Sequence, residues 1–512
     1  MTVAGSRKLL VLVPAAIVAG ALALSSCTSL PVLPPRAAST ALLDTNDTKL
    51  GKAVLPGTMA HPGLAGIHPL SDGRDAFAAR AMLAQAAERS LDVQYYIWRS
   101  DTTGMLMFDA LKAAADRGVR VRLLLDDNNT SGLDAMLAQL DAHPQIEIRL
   151  FNPFAIRGAR YLGFVTDFGR LNRRMHNKSF TADNQVTIVG GRNIGNEYFG
   201  AAGDISFADL DVIVAGPVVR AVSDDFDRYW NSSSAYPMAA MVPHPEAAPA
   251  RKTDPAAASY LDAVRRSTFM TQLTAGTLPF EWAHTRLVSD DPAKVVGKAP
   301  KEANIALKLK NLLGEPKRSL DLVSPYFVPG KDGAEAVADL ARQGVRVRIL
   351  TNSLEATDVA AVHAGYAKWR KPLLEAGVSL YELRREWADE PSREQRRGAF
   401  GSSDASLHAK TVAADGNRIF VGSFNFDQRS IHLNTEMGLV IDSVALAGQL
   451  TSTLDNRMPT RAYEVRVDEN GRLHWIERPK GKEVRHDVEP GTTWWKRAAV
   501  RGLSWLPIDW LL

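Results

Sequence analysis

Cysteine is almost missing from this 512-residue chain, which has one, Cys27. That excludes an internal disulfide and any zinc site built on thiolates. Charge of one sign is lacking too. The 61 lysines and arginines stand against 57 acidic residues, a net charge of +4, too little to hold a nucleic acid by bulk attraction, so an anion site must be a local cluster. After Leu24 no apolar run is long enough to cross a bilayer as a helix. Core material is plentiful: with 46% hydrophobic residues over this length, the chain exceeds one ordinary domain and predicts two.

Arg7 and Lys8 precede an apolar run from Leu9 to Leu24, the layout of a secretory signal. Cys27 follows Leu24-Ser25-Ser26, which resembles a bacterial lipobox. The expectation is a lipoprotein signal over residues 1–26 and a lipidated Cys27 at the mature N-terminus. Thr28, where Asp would retain the protein, points to the periplasmic side of an outer membrane in a Gram-negative host. Residues 27–70, rich in Pro, Ala and Gly, read as a tether.

One stretch is written twice. His176-x-Lys178, Asp183 and Gly190-Gly191-x-Asn193 return as His408-x-Lys410, Asp415 and Gly422-Ser423-x-Asn425, with identical internal spacing and 232 positions between the histidines. A turn pair, Asp183-Asn184 or Asp415-Gly416, precedes an apolar run in each copy, which predicts a β-hairpin. On a strand, His and Lys two apart share a face. Gly190, Gly191 and Gly422 end the returning strand where a side chain would obstruct a ligand. A solitary H-x-K would be an ordinary strand; the full pattern repeated is not. Two imidazoles, two ammonium groups and two carboxamides supply a nucleophile, a proton carrier and hydrogen-bond donors for a phosphodiester, with no metal or cofactor required.

The repeat extends beyond the motifs. Ser90-Leu-Asp-Val93 returns as Ser319-Leu-Asp-Leu322 and Gly118-Val-Arg-Val-Arg122 as Gly344-Val-Arg-Val-Arg348, offsets of 229 and 226. Such constancy indicates duplication of a whole domain. Strand and helix patterns alternate in each half, so the fold class is α/β: two duplicated domains with mixed, largely parallel sheets flanked by helices and related by a pseudo-twofold. The divisions read as a first domain over 71–235, a linker or insert over 236–300, a second domain over 301–460, and a strand pair with a Trp-rich tail over 461–512. Between 151 and 175, Phe151, Phe154, Tyr161, Phe164 and Phe168 mix with Arg157, Arg160, Arg170, Arg173 and Arg174, a composition suited to headgroups or a nucleic-acid backbone. Trp494, Trp495, Trp505 and Trp510 beside Lys496, Arg497 and Arg501 suit a membrane interface or a tail docked on the core. The polar stretch 386–404 is a candidate lid.

On the paired motif the chain resembles the phospholipase D superfamily. On Arg173-Arg-Met-His-Asn-Lys178, Gly190-Gly-Arg-Asn-Ile-Gly-Asn-Glu-Tyr-Phe199 and Gly422-Ser-Phe-Asn-Phe-Asp-Gln-Arg-Ser430 it is similar to its bacterial cardiolipin synthase branch. The resemblance implies both hairpins at one interface, a phosphohistidine on His176, and His408 as acid and base. Lys178, Lys410, Asn193 and Asn425 are expected to cradle phosphate, with Glu436 and Asp209 orienting the histidines. Asp183 and Asp415 are expected to hold the hairpin turns, and Gly191 opposite Ser423 makes phosphate contact unequal between the halves. The implied reaction transfers a phosphatidyl group, typically to phosphatidylglycerol, with phosphatidylethanolamine as a further lipid, a membrane surface and no nucleic acid as partners. Oligomeric state stays open. A phospholipase D delivering to water, an exported nuclease and a non-catalytic lipid-binding protein are the alternatives; the intact His and Lys pairs speak against the last.

Overall fold

The computed structural model describes residues 29–201, 206–243, 254–385, 405–506 and 509–512, so the expected signal, Cys27 and the stretch 386–404 lie outside the described residues. The first half contributes β1 (Ala65–Leu70), β2 (Ser90–Ile97), β3 (Arg120–Asn129), β4 (Ile146–Phe151), β5 (Ser179–Ala182), β6 (Val186–Gly190), β7 (Ser206–Ala208), β8 (Asp211–Ala215) and β9 (Ala235–Pro237). After β10 (Glu281–Ala283) and β11 (Thr285–Ser289), the second half adds β12 (Ser319–Val323), β13 (Phe327–Val328), β14 (Arg346–Asn352), β15 (Ser379–Leu383), β16 (Ala405–Leu407), β17 (Thr411–Ala414), β18 (Arg418–Gly422), β19 (Phe426–Asp427) and β20 (Met437–Ile441). The chain closes with β21 (Ala462–Val467), β22 (Leu473–Glu477) and β23 (Val484–His486).

Two large sheets result, in the orders β10-β1-β8-β6-β5-β2-β3-β4-β9 and β11-β20-β18-β17-β12-β14-β15-β21-β22-β23, beside two separate strand pairs, β13/β19 and β7/β16. Read along the two, β8, β6, β5, β2, β3 and β4 match β20, β18, β17, β12, β14 and β15, so the repeat seen in sequence is a repeat of topology. The sheets are mixed, but the expectation that they are largely parallel is corrected. Within them only β2/β3/β4 and β12/β14/β15 pair in parallel; every other neighbour is antiparallel. The helical crossovers that force parallel pairing occur only there, and hairpins build the rest.

Local sequence explains the crossovers. Asp101 caps the helix Thr102–Asp116 by accepting from Gly104 N, and Gly118 follows at φ 92°, a left-handed conformation that ends the helix and returns the chain to β3. Gly344, at φ 88°, does the same after the helix Gly330–Arg342. Val189, Leu210, Val212 and Val214 from the first sheet join Val421, Leu439 and Ile441 from the second in one buried cluster. The halves therefore share a core.

Two expected spacers contain structure. The tether of 27–70 includes the helix Lys49–Ala60 and strand β1, because Ala65, Ile67 and Leu70 bury against the sheet. The linker 236–300 includes the helix Pro255–Arg265 and supplies an edge strand to each sheet, β10 to the first and β11 to the second. Pro, Ala and Gly content concealed short elements held by tertiary pairing.

Candidate active site

Each hairpin turn places its two central residues at positive φ: Asp183 and Asn184 at 50°, Asp415 at 51° and Gly416 at 67°, as a type I′ turn demands. The aspartates do more than turn the chain. Asp183 accepts from the backbone N–H of Glu88, Arg89 and Ser90, and Asp415 accepts from Lys317, Arg318 and Ser319. Each carboxylate thereby ties its hairpin to the start of the neighbouring central strand, away from the histidines. Asp183→Ala is expected to lower unfolding free energy by about 2–4 kcal/mol, since one buried and two part-buried donors lose a charged, fully buried acceptor. Asp415→Ala should lose less, because Lys317 and Arg318 lie nearer water; calorimetric melting of both variants checks the order.

The motif histidines precede the hairpin strands, contrary to the strand placement expected: β5 begins one residue after Lys178 and β17 one residue after Lys410. Exchange between the halves holds them instead. Met175 bridges Thr435 in parallel, and His176 N donates to Thr435 O at 2.8 Å. In the other half β7 and β16 pair in parallel with Leu407 opposite Ala208, and His408 N donates to Ala208 O at 2.8 Å. The next residue on each partner segment is a carboxylate.

Consequently each imidazole meets an acid from the other half. His176 Nδ1 lies 2.8 Å from Glu436 Oε2, and His408 Nδ1 lies 2.6 Å from Asp209 Oδ2. Both carboxylates are fully buried, while His176 and His408 keep 7% and 9% exposure, enough to leave the second ring nitrogen as the reactive one. Lys178 Nζ donates to His176 O at 2.5 Å, and Lys410 Nζ bonds the carbonyl of His408 and approaches His408 Nδ1 at 3.0 Å. Tyr96 stands edge-on to His176 at 5.0 Å between ring centroids, and Tyr198 edge-on to His408 at 5.2 Å.

The two motifs share one electrostatic environment. Burial, then Lys178 and Lys410, push His176 well below its ordinary value; burial and Lys410 push His408 down to about 4, with Asp209 opposing and Lys178 adding to the fall. Burial also drives Lys410 down to about 8 and Lys178 well below the usual lysine range. The carboxylates differ. Burial pushes Glu436 up to about 7, although Lys178, Ser423 and Ser430 oppose it. Burial opposes the charge on Asp209 as well, yet His408, Lys410 and Arg192 outweigh it and hold that carboxyl below the ordinary range.

Steric detail explains the asymmetry between Gly191 and Ser423. A Cβ on Gly191 would lie 2.2 Å from Asp209 Oδ1, so only glycine fits. Ser423 Oγ donates to Glu436 Oε2 at 2.5 Å and accepts from Met437 N at 3.0 Å. The difference between the halves also falls on the carboxylates. Gly190 and Gly422 permit close approach to β8 and β20, where a Cβ would meet Asp211 Oδ1 at 2.1 Å and Met437 O at 2.4 Å.

The two motif asparagines differ in their engagement. Asn193 accepts from Ile97 N and donates to Tyr198 Oη, so it fixes the tyrosine beside His408. Asn425 keeps a buried carboxamide oxygen without a partner. The five arginines of 157–174 are committed within the protein: Arg157 and Arg160 to Asp134, Arg170 to Asp167, Arg173 to Lys294 O and Arg174 to Asp126. They form a structural frame ahead of His176.

Sequence reasoning missed Ser430, which donates to Glu436 Oε1, and Asp290, which accepts from Glu436 N. It also missed Asp126 and Asn352, which accept from Met175 N and Leu407 N, the residues before each histidine. Their offset of 226 equals that of Gly118 and Gly344, a signal the repeat contained.

Paired His-x-Lys motifs of duplicated α/β halves, each histidine backed by a carboxylate, define a phosphodiester-transfer centre of the phospholipase D type. The family profile described as "Cardiolipin synthase, PLD-like domain" matches residues 80–230 and 309–458. Cardiolipin synthase C of Escherichia coli is 52% identical over 477 residues, 91% of this chain and 100% of that protein. The major cardiolipin synthase of Bacillus subtilis is 25% identical over 75% of this chain and 67% of its own. The crystal structure of phosphatidylserine synthase from Haemophilus influenzae shares the fold, with a TM-score of 0.52 and 14% identity over 80% of this chain and 92% of that one. This chain belongs to the phospholipase D-like cardiolipin synthase family, and it is an enzyme of the phosphatidyltransferase class.

Proposed function

We propose that the protein joins two phospholipids into cardiolipin, with phosphatidylglycerol as acceptor, through a phosphohistidine on His176. The observation that carries this reading is the crossed pair of contacts, His176 with Glu436 and His408 with Asp209. Each holds Nδ1 and frees Nε2 for chemistry.

The division of labour follows from the carboxylates. Asp209 stays ionised beside His408 and favours its imidazolium, the form that donates a proton, against the burial and lysine charge that push the ring down to about 4. Glu436, pushed up to about 7, gives His176 weaker support for positive charge and favours the neutral, nucleophilic ring. His176 Nε2 forms a bond to phosphorus while the bond to the departing alcohol oxygen breaks, and His408 protonates that oxygen. His408, now neutral, removes the proton from the acceptor hydroxyl, whose oxygen displaces His176. Two inversions give retention at phosphorus. Lys178 and Lys410 offset the charge on the non-bridging oxygens, and Asn425 is the carboxamide in the cradle.

Because burial pushes Lys410 down to about 8, its ammonium is expected below that value and lost above it. kcat/KM, which reports the free enzyme, is expected to fall on the alkaline side of pH about 8; a profile flat to pH 10, well past that value, contradicts this role.

Purified protein given phosphatidylglycerol, with and without phosphatidylethanolamine, provides the decisive assay. Cardiolipin is the expected product. Phosphatidic acid alone means transfer to water, and lipid inertness with DNA cleavage means a nuclease.

We also infer that the protein works at a membrane as an exported lipoprotein carried by Cys27, on the periplasmic side of an outer membrane if the host is Gram-negative. Among the described residues no helix is long and apolar enough to cross a membrane. Labelled palmitate is expected in the wild type and absent from Cys27→Ser.

A further inference from the structure

Large apolar side chains are exposed in two places that are far apart in sequence. Tyr161 and Val165, on the short helix Arg160–Thr166, are 72% and 82% exposed, and Phe168 lies just beyond them. Trp494 and Trp505, at the two ends of the helix Trp494–Ser504, are 75% and 82% exposed, and Trp510 follows. Neither segment is loose. Arg170 beside the first bonds Asn152 Oδ1 and Pro153 O; the second is tied down by Lys368 to Asp509 at 2.5 Å and by the stem contact of Val500 with Leu354 and Ala364. An ordered segment that turns indoles and a phenol ring outward keeps that apolar area in water unless something covers it.

The fold brings both segments to one arginine. Arg429 Nη1 donates to Asn172 Oδ1 at 2.8 Å and Nη2 to Asn172 O at 2.6 Å, just past the first segment. Arg429 N donates to Leu512 O at 2.8 Å, at the end of the second. The same arginine adds its positive charge at His176, and its neighbour Ser430 holds Glu436. Both exposed sets are therefore tied to the residue whose charge acts on one catalytic histidine.

Charge selects the occupant. Residues 494–506 contain Lys496, Arg497 and Arg501 and no carboxylate. Lys496 Nζ bonds Leu354 O and Arg497 bonds Thr492 O, carbonyl contacts rather than ion pairs, although Glu355 and Glu489 lie near enough to Lys496 to act on its charge. Tryptophan and tyrosine with lysine and arginine are the side chains that settle at the headgroup level of a bilayer. We propose that Tyr161, Val165 and Phe168 on one side, and Trp494, Trp505 and Trp510 on the other, form the face on which the protein rests on an anionic phospholipid bilayer. This rests on the phospholipid reading of the site and adds how the lipid reaches it: the headgroup enters beside Arg429 while its acyl chains stay in the leaflet.

The test compares two presentations of phosphatidylglycerol to the full-length protein: vesicles of the long-chain lipid, and a dihexanoyl form below its micelle threshold. Tyr161→Ser with Val165→Ser, and separately Trp494→Ser with Trp505→Ser, are expected to lower vesicle turnover roughly tenfold or more, since each pair loses apolar area that inserts. Turnover of the dispersed lipid should stay within about twofold, because neither pair touches the catalytic groups. Unchanged vesicle turnover overturns the proposal, as does an equal loss on both forms. If the wild type turns over neither lipid, the functional reading has failed. The docking face is then judged by quenching of wild-type tryptophan fluorescence with vesicles of shallowly brominated phosphatidylglycerol: quenching supports it, and its absence overturns it. A lipid-free dimer that the tryptophan substitutions dissociate would assign the face to a second copy and also overturn the proposal.

Discussion

His408→Ala, given a phosphatidyl ester with a nitrophenol leaving group, is expected to release one equivalent of nitrophenol and then stall with the phosphatidyl group on His176. An aryl oxide leaves without a proton, so the first displacement does not need the second imidazole. The return step does, because the acceptor hydroxyl has no other base. His176→Ala should release none. With natural lipid both variants should lose on the order of 10³–10⁵ in turnover, as expected when groups that act as a unit are removed singly. Rapid quench and peptide mapping locate the adduct. A labelled His408 in the His176→Ala variant would reverse the assignment, and a burst from both would show that either ring can be the nucleophile.

The second large effect is expected at a residue with no side chain. Gly191→Ser places a Cβ where Asp209 Oδ1 sits, 2.2 Å away, so the carboxylate must move and His408 loses its partner. A fall in kcat on the order of 10²–10⁴-fold is expected, the range for loss of an orienting group, and Asp209→Asn should match it. The mirror change is mild by comparison. Ser423→Gly removes one donor to Glu436 and leaves Ser430 in place, so about a tenfold loss is expected. Equal losses in Gly191→Ser and Ser423→Gly would show that crowding at Asp209 does not govern the rate.

Much of this site was legible in the chain. The doubled spacing of His176-x-Lys178 and His408-x-Lys410 announced two equivalent hairpins, and Asp183 and Asp415 were readable as turn residues because two adjacent positive-φ positions favour Asp, Asn and Gly. Glu436 and Asp209 were readable as orienting candidates. Which acid serves which histidine was not, since the crossing depends on pairing between Met175 and Thr435 and between Leu407 and Ala208, contacts between segments 199 to 260 residues apart. The engagement of the expected cradle groups was illegible for a related reason. Asn193 has the composition of a phosphate donor, but its amide is taken by Tyr198, and the arginines before His176 have the composition of an anion site, but Asp126, Asp127, Asp134 and Asp167 claim most of them. Composition names the available groups; only the fold says which are still unengaged.

The crossing of acids between halves has a consequence for inheritance. A single ancestral half would have carried a histidine without its own acid, so it could work only as a symmetric homodimer, each copy completing the other. Once fused, the copies were free to diverge, one settling on glycine with aspartate and the other on serine with glutamate. Each set lies within one half, so a hybrid gene that takes its second half from a distant cousin would keep both sets and re-pair only the crossed contacts, His176 with a foreign acid and a foreign histidine with Asp209.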